Sequence, residues 1–214
     1  MNNSLKYISV LIVSYFIVGN INAQDLSDDQ QKDIQARVIQ ATEEFQYRLS
    51  AIANKKLSHA VRKEHVYNTL KLFIGNGEQY SYSDEKERET AARSGVKIQL
   101  SDHFGKYKKS QLLKKFIYNI YNPDTGKSSY QYNNICIEAV DAVVCDNILK
   151  VDDHHYECTA YYHTKILERR TGDRTKCSIR LSESRKIHCY IQSIESPAGE
   201  TLFEVKLGDI YVIQ

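Results

Sequence analysis

His155-Tyr-Glu-Cys-Thr-Ala-Tyr-Tyr-His-Thr-Lys-Ile166 is the stretch on which the fold turns. Tyr156, Cys158, Ala160, Tyr162, Thr164 and Ile166 fall on one side of it. His155, Glu157, Thr159, Tyr161, His163 and Lys165 fall on the other. Successive strand side chains point to opposite faces, so a period of two over twelve residues predicts a long strand. Its first face is core and its second is polar. A strand of that length needs paired neighbours and a layer to cover its apolar face.

The same period continues toward the C-terminus. Cys177, Ile179 and Leu181 alternate, as do Ile187, Cys189 and Ile191. Phe203, Val205 and Leu207 form a further face, and Gly208 allows a bulge before Ile210-Tyr-Val-Ile213. Toward the N-terminus, Tyr130–Cys145 reads as a strand or a bent pair. Leu112, Leu113, Phe116, Ile117, Ile120 and Tyr121 make the buried face of a helix that Ser110 can cap. Asn122-Pro-Asp-Thr-Gly126 stops it. Val96, Ile98 and Leu100 alternate as a strand, and residues 80–95 are polar enough for a solvated loop.

Two further helices come first. Ser27-Asp-Asp-Gln30 is a capping box, and the two Asp suit the positive helix end. Ile34, Val38, Ala41, Phe45, Leu49 and Ile52 then follow steps of three and four, one stripe of about five turns. Leu57-Ser58 starts a second helix carrying Val61, Val66, Leu70, Phe73 and Ile74, with Gly75-Asn-Gly77 as its C-cap. The segments read α-α-β-α-β-β-β-β. The expected class is α+β, with N-terminal helices packed on a strongly curved antiparallel sheet of four to six strands, cone-like in shape.

Residues 1–23 have a different character. Lys6 precedes an apolar run from Tyr7 to Val18, and Gly19-Asn-Ile-Asn-Ala23 supplies the small residue before Gln24. That order is a secretory signal peptide cleaved after Ala23. The apolar run is about 12 residues against the ~20 that span a bilayer, so no membrane span remains after cleavage. No Cys follows the site to carry a lipid. The mature chain, residues 24–214, is expected in the periplasm or secreted, away from cytoplasmic ATP and nicotinamide pools.

Removing 23 of 214 residues leaves a length suited to one domain. Two prolines and scattered glycines make no linker, and there is no internal repeat. The formal charge of +2 is too small to steer the chain toward nucleic acid. Sixteen tyrosines and no tryptophan fit pleated, half-buried surfaces.

Three stretches resemble those of small exported bacterial proteins with the nuclear transport factor 2-like fold. They are Thr69-Leu-Lys-Leu-Phe-Ile74, Tyr156-x-Cys-x-Ala-Tyr-Tyr162 and Val205-Lys-Leu-Gly-Asp-Ile-Tyr-Val212. With the element order, the resemblance covers roughly residues 27–214. It implies a curved antiparallel sheet wrapped around three helices, a fold that hosts binding modules, assembling proteins and enzymes such as ketosteroid isomerase and scytalone dehydratase. Those enzymes place Asp, Tyr or His inside the cone, but no spacing motif matches here, so no catalytic residue is carried over.

The candidate ligand-binding residues are His155, Glu157, Tyr161 and His163. Residues two apart on a strand lie ~7 Å apart, within reach of one ligand. The simpler reading turns this row to solvent, because Tyr156 and its partners already supply the core face. His154-His155 does not suggest a metal, since adjacent strand residues diverge and Asp152-Asp153 beside them favours a turn. Lys106, Lys108, Lys109, Lys114 and Lys115 gather around the third helix, where a solvated face explains them. Tyr47, Tyr67, Tyr118 and Tyr121 can line a cone mouth or fill rim and core positions. No Gly-rich phosphate loop, metalloprotease motif or C-x-x-C is present, so no cofactor or metal is implied.

Five cysteines, at 136, 145, 158, 177 and 189, leave at least one unpaired within a monomer. A tight hairpin centred on Glu183 sets Cys177 opposite Cys189, within disulfide range. A competing register makes residues 171–185 an excursion and pairs Ile187–Ile194 with the Tyr156 strand. Together these features favour an exported, noncatalytic binding or interaction module of the bacterial cell envelope. Its partner is a small ligand or a protein, with a homodimer as one form. The alternatives are an isomerase- or dehydratase-type enzyme with a cone pocket, and a toxin-neutralising or assembly protein.

Overall fold

The computed structural model describes residues 26–78, 95–101, 108–122, 135–139, 143–169 and 177–213. Residues 1–23, read above as a signal peptide, and the charged stretch 80–94 lie outside them.

Helix α1 (Asp28–Ala53) begins at the expected capping box. The Ser27 N–H donates to Gln30 Oε1 (2.9 Å), and the Gln30 N–H donates to Ser27 Oγ (3.2 Å). Ile34, Val38, Phe45, Leu49 and Ile52 are buried along one stripe. Ser58 caps α2 (His59–Lys71) by accepting from the Val61 N–H at 3.3 Å. Buried Arg62 on α2 donates to the carbonyls of Ile52 (2.7 Å), Ile120 (3.2 Å) and Tyr121 (2.6 Å). It thereby satisfies carbonyls that the last turns of α1 and α3 (Leu113–Tyr121) leave without helical donors. Desolvation by this burial lowers its pKa, against a smaller opposing effect of Tyr121.

Two local expectations change. Ser110 does not cap α3. It sits in strand β2 (Lys108–Leu112), opposite Gln99 of β1 (Lys97–Ser101). The helix starts instead behind Leu112, without a side-chain cap, and the Leu113 N–H donates to the Val96 carbonyl at 2.8 Å. Gly75-Asn-Gly77 does not close α2 directly either. Leu72 ends the helix, Phe73 bridges in parallel to Leu207, and the three residues then turn the chain with φ of 58°, 53° and 77°.

The other strands are β3 (Ile135–Ala139), β4 (Val144–Cys145), β5 (Leu149–Lys150), β6 (His155–Arg169), β7 (Cys177–Glu195) and β8 (Thr201–Val212). Their order is β2-β1-β8-β7-β6-β3, with β4 and β5 also pairing with β6. The protein is therefore α+β, with three helices and an open mixed sheet of eight strands among the described residues. The sheet is larger than the four to six strands expected. It is not purely antiparallel, because β1 meets β8 in parallel at Ile98 and Ile210.

The core lies between helices and sheet. Tyr156, Cys158, Ala160, Tyr162, Thr164 and Ile166 of β6 are all buried, as the alternation requires. Phe45 of α1 meets Tyr162 edge-on, with ring centroids 6.4 Å apart, and Phe73 at 5.1 Å. The expected bulge occurs where Gly208 and Asp209 of β8 face His188 alone. Glycine is needed there for space, since a Cβ would lie 2.5 Å from Tyr190 Cε2.

The hairpin centred on Glu183 is absent. Residues 177–195 form one strand paired with β6 from Arg169↔Cys177 to His155↔Gln192. Cys177 and Cys189 stand twelve positions apart on that strand, roughly 40 Å at ~3.3 Å per residue, so they cannot bridge. The competing register holds in its second half, because Ile191 pairs with Tyr156 and Ile187 with Ala160.

Candidate functional site

The four residues selected from sequence share the outer face of β6, opposite the core, and each is engaged locally. His155 Nδ1 lies 2.8 and 2.9 Å from the Asp152 carboxylate oxygens. Glu157 Oε2 pairs with His188 Nε2 at 3.3 Å, and the Tyr161 hydroxyl donates to Asp146 at 3.2 Å. His163 contacts Ser184 Oγ (3.0 Å) and Ser182 Oγ (2.8 Å) across the strand boundary. All four are half-buried. They form a row of pairs along the sheet and do not converge on one point.

Asp152 also accepts the N–H groups of His154 and His155, each at 2.9 Å, which makes the Asp152-Asp153 segment the expected turn. Partial burial pushes its carboxyl up. The His154 N–H and the His155 contacts outweigh that and leave it below the ordinary carboxylate range. No group of three His, Cys, Asp or Glu among the described residues could hold a metal.

Of the five lysines, Lys109 and Lys115 are exposed and two others are engaged locally. Lys108 donates to the Val212 carbonyl at 3.1 Å, Lys114 pairs with Glu78, and Lys106 lies outside the described residues. Of the four tyrosines, Tyr118 and Tyr121 meet edge-on with ring centroids 6.4 Å apart. Tyr121 is buried with its hydroxyl 3.0 Å from His59 Nδ1, while Tyr67 lies under Lys71, 4.3 Å from Nζ to the ring centre.

The residues that do converge lie on the inner face. Alternation along β7 turns Glu183 and Arg185 inward, in line with Ile187, Cys189 and Ile191. Register sets Arg185 opposite Tyr162 and Glu183 opposite Thr164. Arg185 Nε donates to Glu183 Oε1 at 2.8 Å and Nη2 donates to the same oxygen. Glu183 Oε2 has no hydrogen-bond partner, and the Tyr162 hydroxyl, close to Arg185, makes no hydrogen bond of good geometry. Burial pushes the Tyr162 phenol up to about 12, against the pull of nearby Arg185. At neutral pH it is a proton donor.

The same row leads to an opening. Thr164 pairs with Ala139, the last residue of β3. Ala139 and one face of α1 (Glu43, Gln46, Tyr47, Ser50) line an open groove of about 380 Å³. Gln46 is buried at 4% exposure, yet its Oε1 has no partner. Buried polar atoms are nearly always satisfied, so this oxygen, closed off from solvent behind the groove wall, is an orphan that a donor would fill if the Gln46 amide turned toward the groove. Tyr47 stands exposed at the rim with its ring 5.9 Å from that of His65, whose buried Nδ1 is also unpartnered.

A row of three cysteines is a separate feature of the sheet. Cys145 Sγ lies 3.5 Å from Cys158 Sγ, and Cys158 is opposite Cys189. The hydrogen bond to Cys158, then burial, raises the Cys145 thiol above its ordinary range. For Cys158 the bond from Cys145 pulls down, but the Cys189 contact and burial outweigh it and the thiol is raised.

No family model and no curated protein matches the sequence. A solved structure from Catenulispora acidiphila is similar at 11% identity, over 83% of this chain and 91% of that one, with a TM-score of 0.30. That similarity is too low to carry an argument about fold or function. Among the described residues, no helix is long and apolar enough to cross a membrane.

Sequence reasoning missed Glu183, Arg185 and Gln46. Ser182-Glu183-Ser184 looks like a turn centre, and Gln46 adjoins the apolar stripe without belonging to it. The available signal was the strict alternation Glu183, Arg185, Ile187, Cys189, Ile191, which a single uninterrupted strand explains.

Proposed function

We propose that the mature chain is an exported, noncatalytic binding or interaction module of the bacterial cell envelope, with its sheet and helices arranged as in the nuclear transport factor 2-like fold. The observation that carries this reading is the groove along α1, with the unpartnered Gln46 carbonyl buried just behind its wall. A ligand presenting an N–H or O–H to that oxygen and a flat face to Tyr47 suits it. Within the interior, the Glu183 carboxylate is already matched by Arg185, and the Tyr162 phenol titrates far above neutrality. A phenol raised so far does not suit a base working near neutral pH.

The isomerase- or dehydratase-type alternative draws on one observation, that the Tyr162 hydroxyl and Glu183 Oε2 both lie on the inner face without a well-formed hydrogen bond. It requires a substrate to reach them, and the surrounding side chains are closely buried.

The test uses protein isolated from the envelope fraction. Intact mass should begin at Gln24, and a full-length Met1 chain in the cytoplasm overturns export. Native mass spectrometry of the same material should show a bound small molecule that Gln46→Leu loses. Gln46→Leu removes an unsatisfied acceptor, so the fold should hold. An adduct retained unchanged in Gln46→Leu, or no adduct on either protein, counts against the groove. Turnover of a ketosteroid or related enolisable ketone, abolished by Tyr162→Phe, favours the enzyme.

A further inference from the structure

We propose that Cys145 and Cys158 form a redox-active pair that closes to a disulfide by exchange with a small-molecule disulfide. The two sulfurs are 3.5 Å apart. A disulfide needs about 2.05 Å, so closure asks for an approach of about 1.5 Å. Which side moves follows from the sheet. Cys158 is held in the middle of β6, paired along its length with β7. Cys145 ends β4, a strand of only two residues that joins β6 through Val144↔Tyr161 and Cys145↔Ala160. The short edge segment can shift where the long central strand cannot.

Access points the same way. Cys145 is half-buried, whereas Cys158 and Cys189 are buried. An oxidant therefore reaches Cys145 before Cys158 and Cys189. Hydroxide takes the proton of the Cys145 thiol, which is held above its ordinary range and so ionises only in alkaline solution, and the sulfur attacks one sulfur of the small disulfide, releasing one thiolate. Cys158 then loses its proton and attacks Cys145 Sγ, breaking the mixed disulfide and releasing the second thiolate. The added disulfide takes up the two electrons and leaves as two thiols. Cys189 stays reduced, since its thiol is fully enclosed and turned to the Ile187 carbonyl at 3.7 Å.

The experiment exposes the mature chain to oxidised glutathione at alkaline pH, where the raised thiols ionise, quenches with acid, alkylates, and maps peptides without reduction. The expected product is a linked pair of peptides holding Cys145 and Cys158, lighter by two hydrogens, with Cys136, Cys177 and Cys189 alkylated. In Cys145→Ser, Cys158 should stay open to alkylation once the protein is unfolded, while Cys136→Ser should bridge like the wild type. Oxidised wild type should melt several degrees above its reduced form, and Cys145→Ser should show no such difference. A Cys158–Cys189 bridge, or Cys145 and Cys158 both alkylated after prolonged exposure, overturns the proposal.

Discussion

Arg185→Met tests the buried ion pair at the inner end of the sheet. Arg185 is 1% exposed, and Glu183 Oε1 accepts from both its Nε and its Nη2. Methionine fills much of the same space without charge. The substitution leaves the Glu183 carboxylate buried with no cation, and its second oxygen is already unpartnered. Breaking a buried pair from one side costs about 3–5 kcal/mol. With a urea dependence of about 2–3 kcal/mol per M, the unfolding midpoint should fall by about 1–2.5 M. Circular dichroism during urea titration measures it. The double variant Glu183→Leu with Arg185→Met removes both charges and should regain most of the loss, because an apolar replacement of a whole buried pair is often neutral or better. A single-variant loss under ~1 kcal/mol, the worth of an exposed pair, would refute the burial argument. So would a double variant no more stable than the single.

Three further outcomes follow from local geometry. Ser27→Ala removes one half of the α1 capping box and should cost about 1 kcal/mol in the same titration, with Ser27→Gly closer to wild type. Gly208→Ala forces the Tyr190 ring aside and should cost about 1–3 kcal/mol; the cost should shrink in a Tyr190→Ala background, and equal costs in both would mean the ring is not the obstacle. The Asp152 carboxyl is depressed in the fold, so its contribution is complete above the unfolded value of ~3.9 and is lost as pH falls through its lower folded value. Asp152→Asn should therefore flatten the acid limb of the stability profile below about pH 4, read from thermal midpoints across pH, while an unchanged limb would show the turn contributes nothing.

Short-range signals in the sequence determined the helices and the faces of the strands. The Ser27–Gln30 box, the Ile34–Ile52 stripe and the Tyr156–Ile166 alternation each depend on neighbours a few residues apart, and each appears in the structure as read. Tertiary pairing decided what those signals leave open. The parallel meeting of Ile98 with Ile210, the ladder that takes Ser110 from helix to strand, and the uninterrupted run of β7 are all set by distant partners. A charged Ser-Glu-Ser centre favours a turn in isolation. It stays extended here because β6 on one side and β8 on the other take up the backbone hydrogen bonds around Arg185, and the guanidinium matches the Glu183 charge where a lone carboxylate would be costly to bury. The candidate sites share that origin. Cys145, Cys158 and Cys189 are far apart in the chain and meet only through register, and Gln46 becomes a groove wall only when Ala139 is brought beside α1.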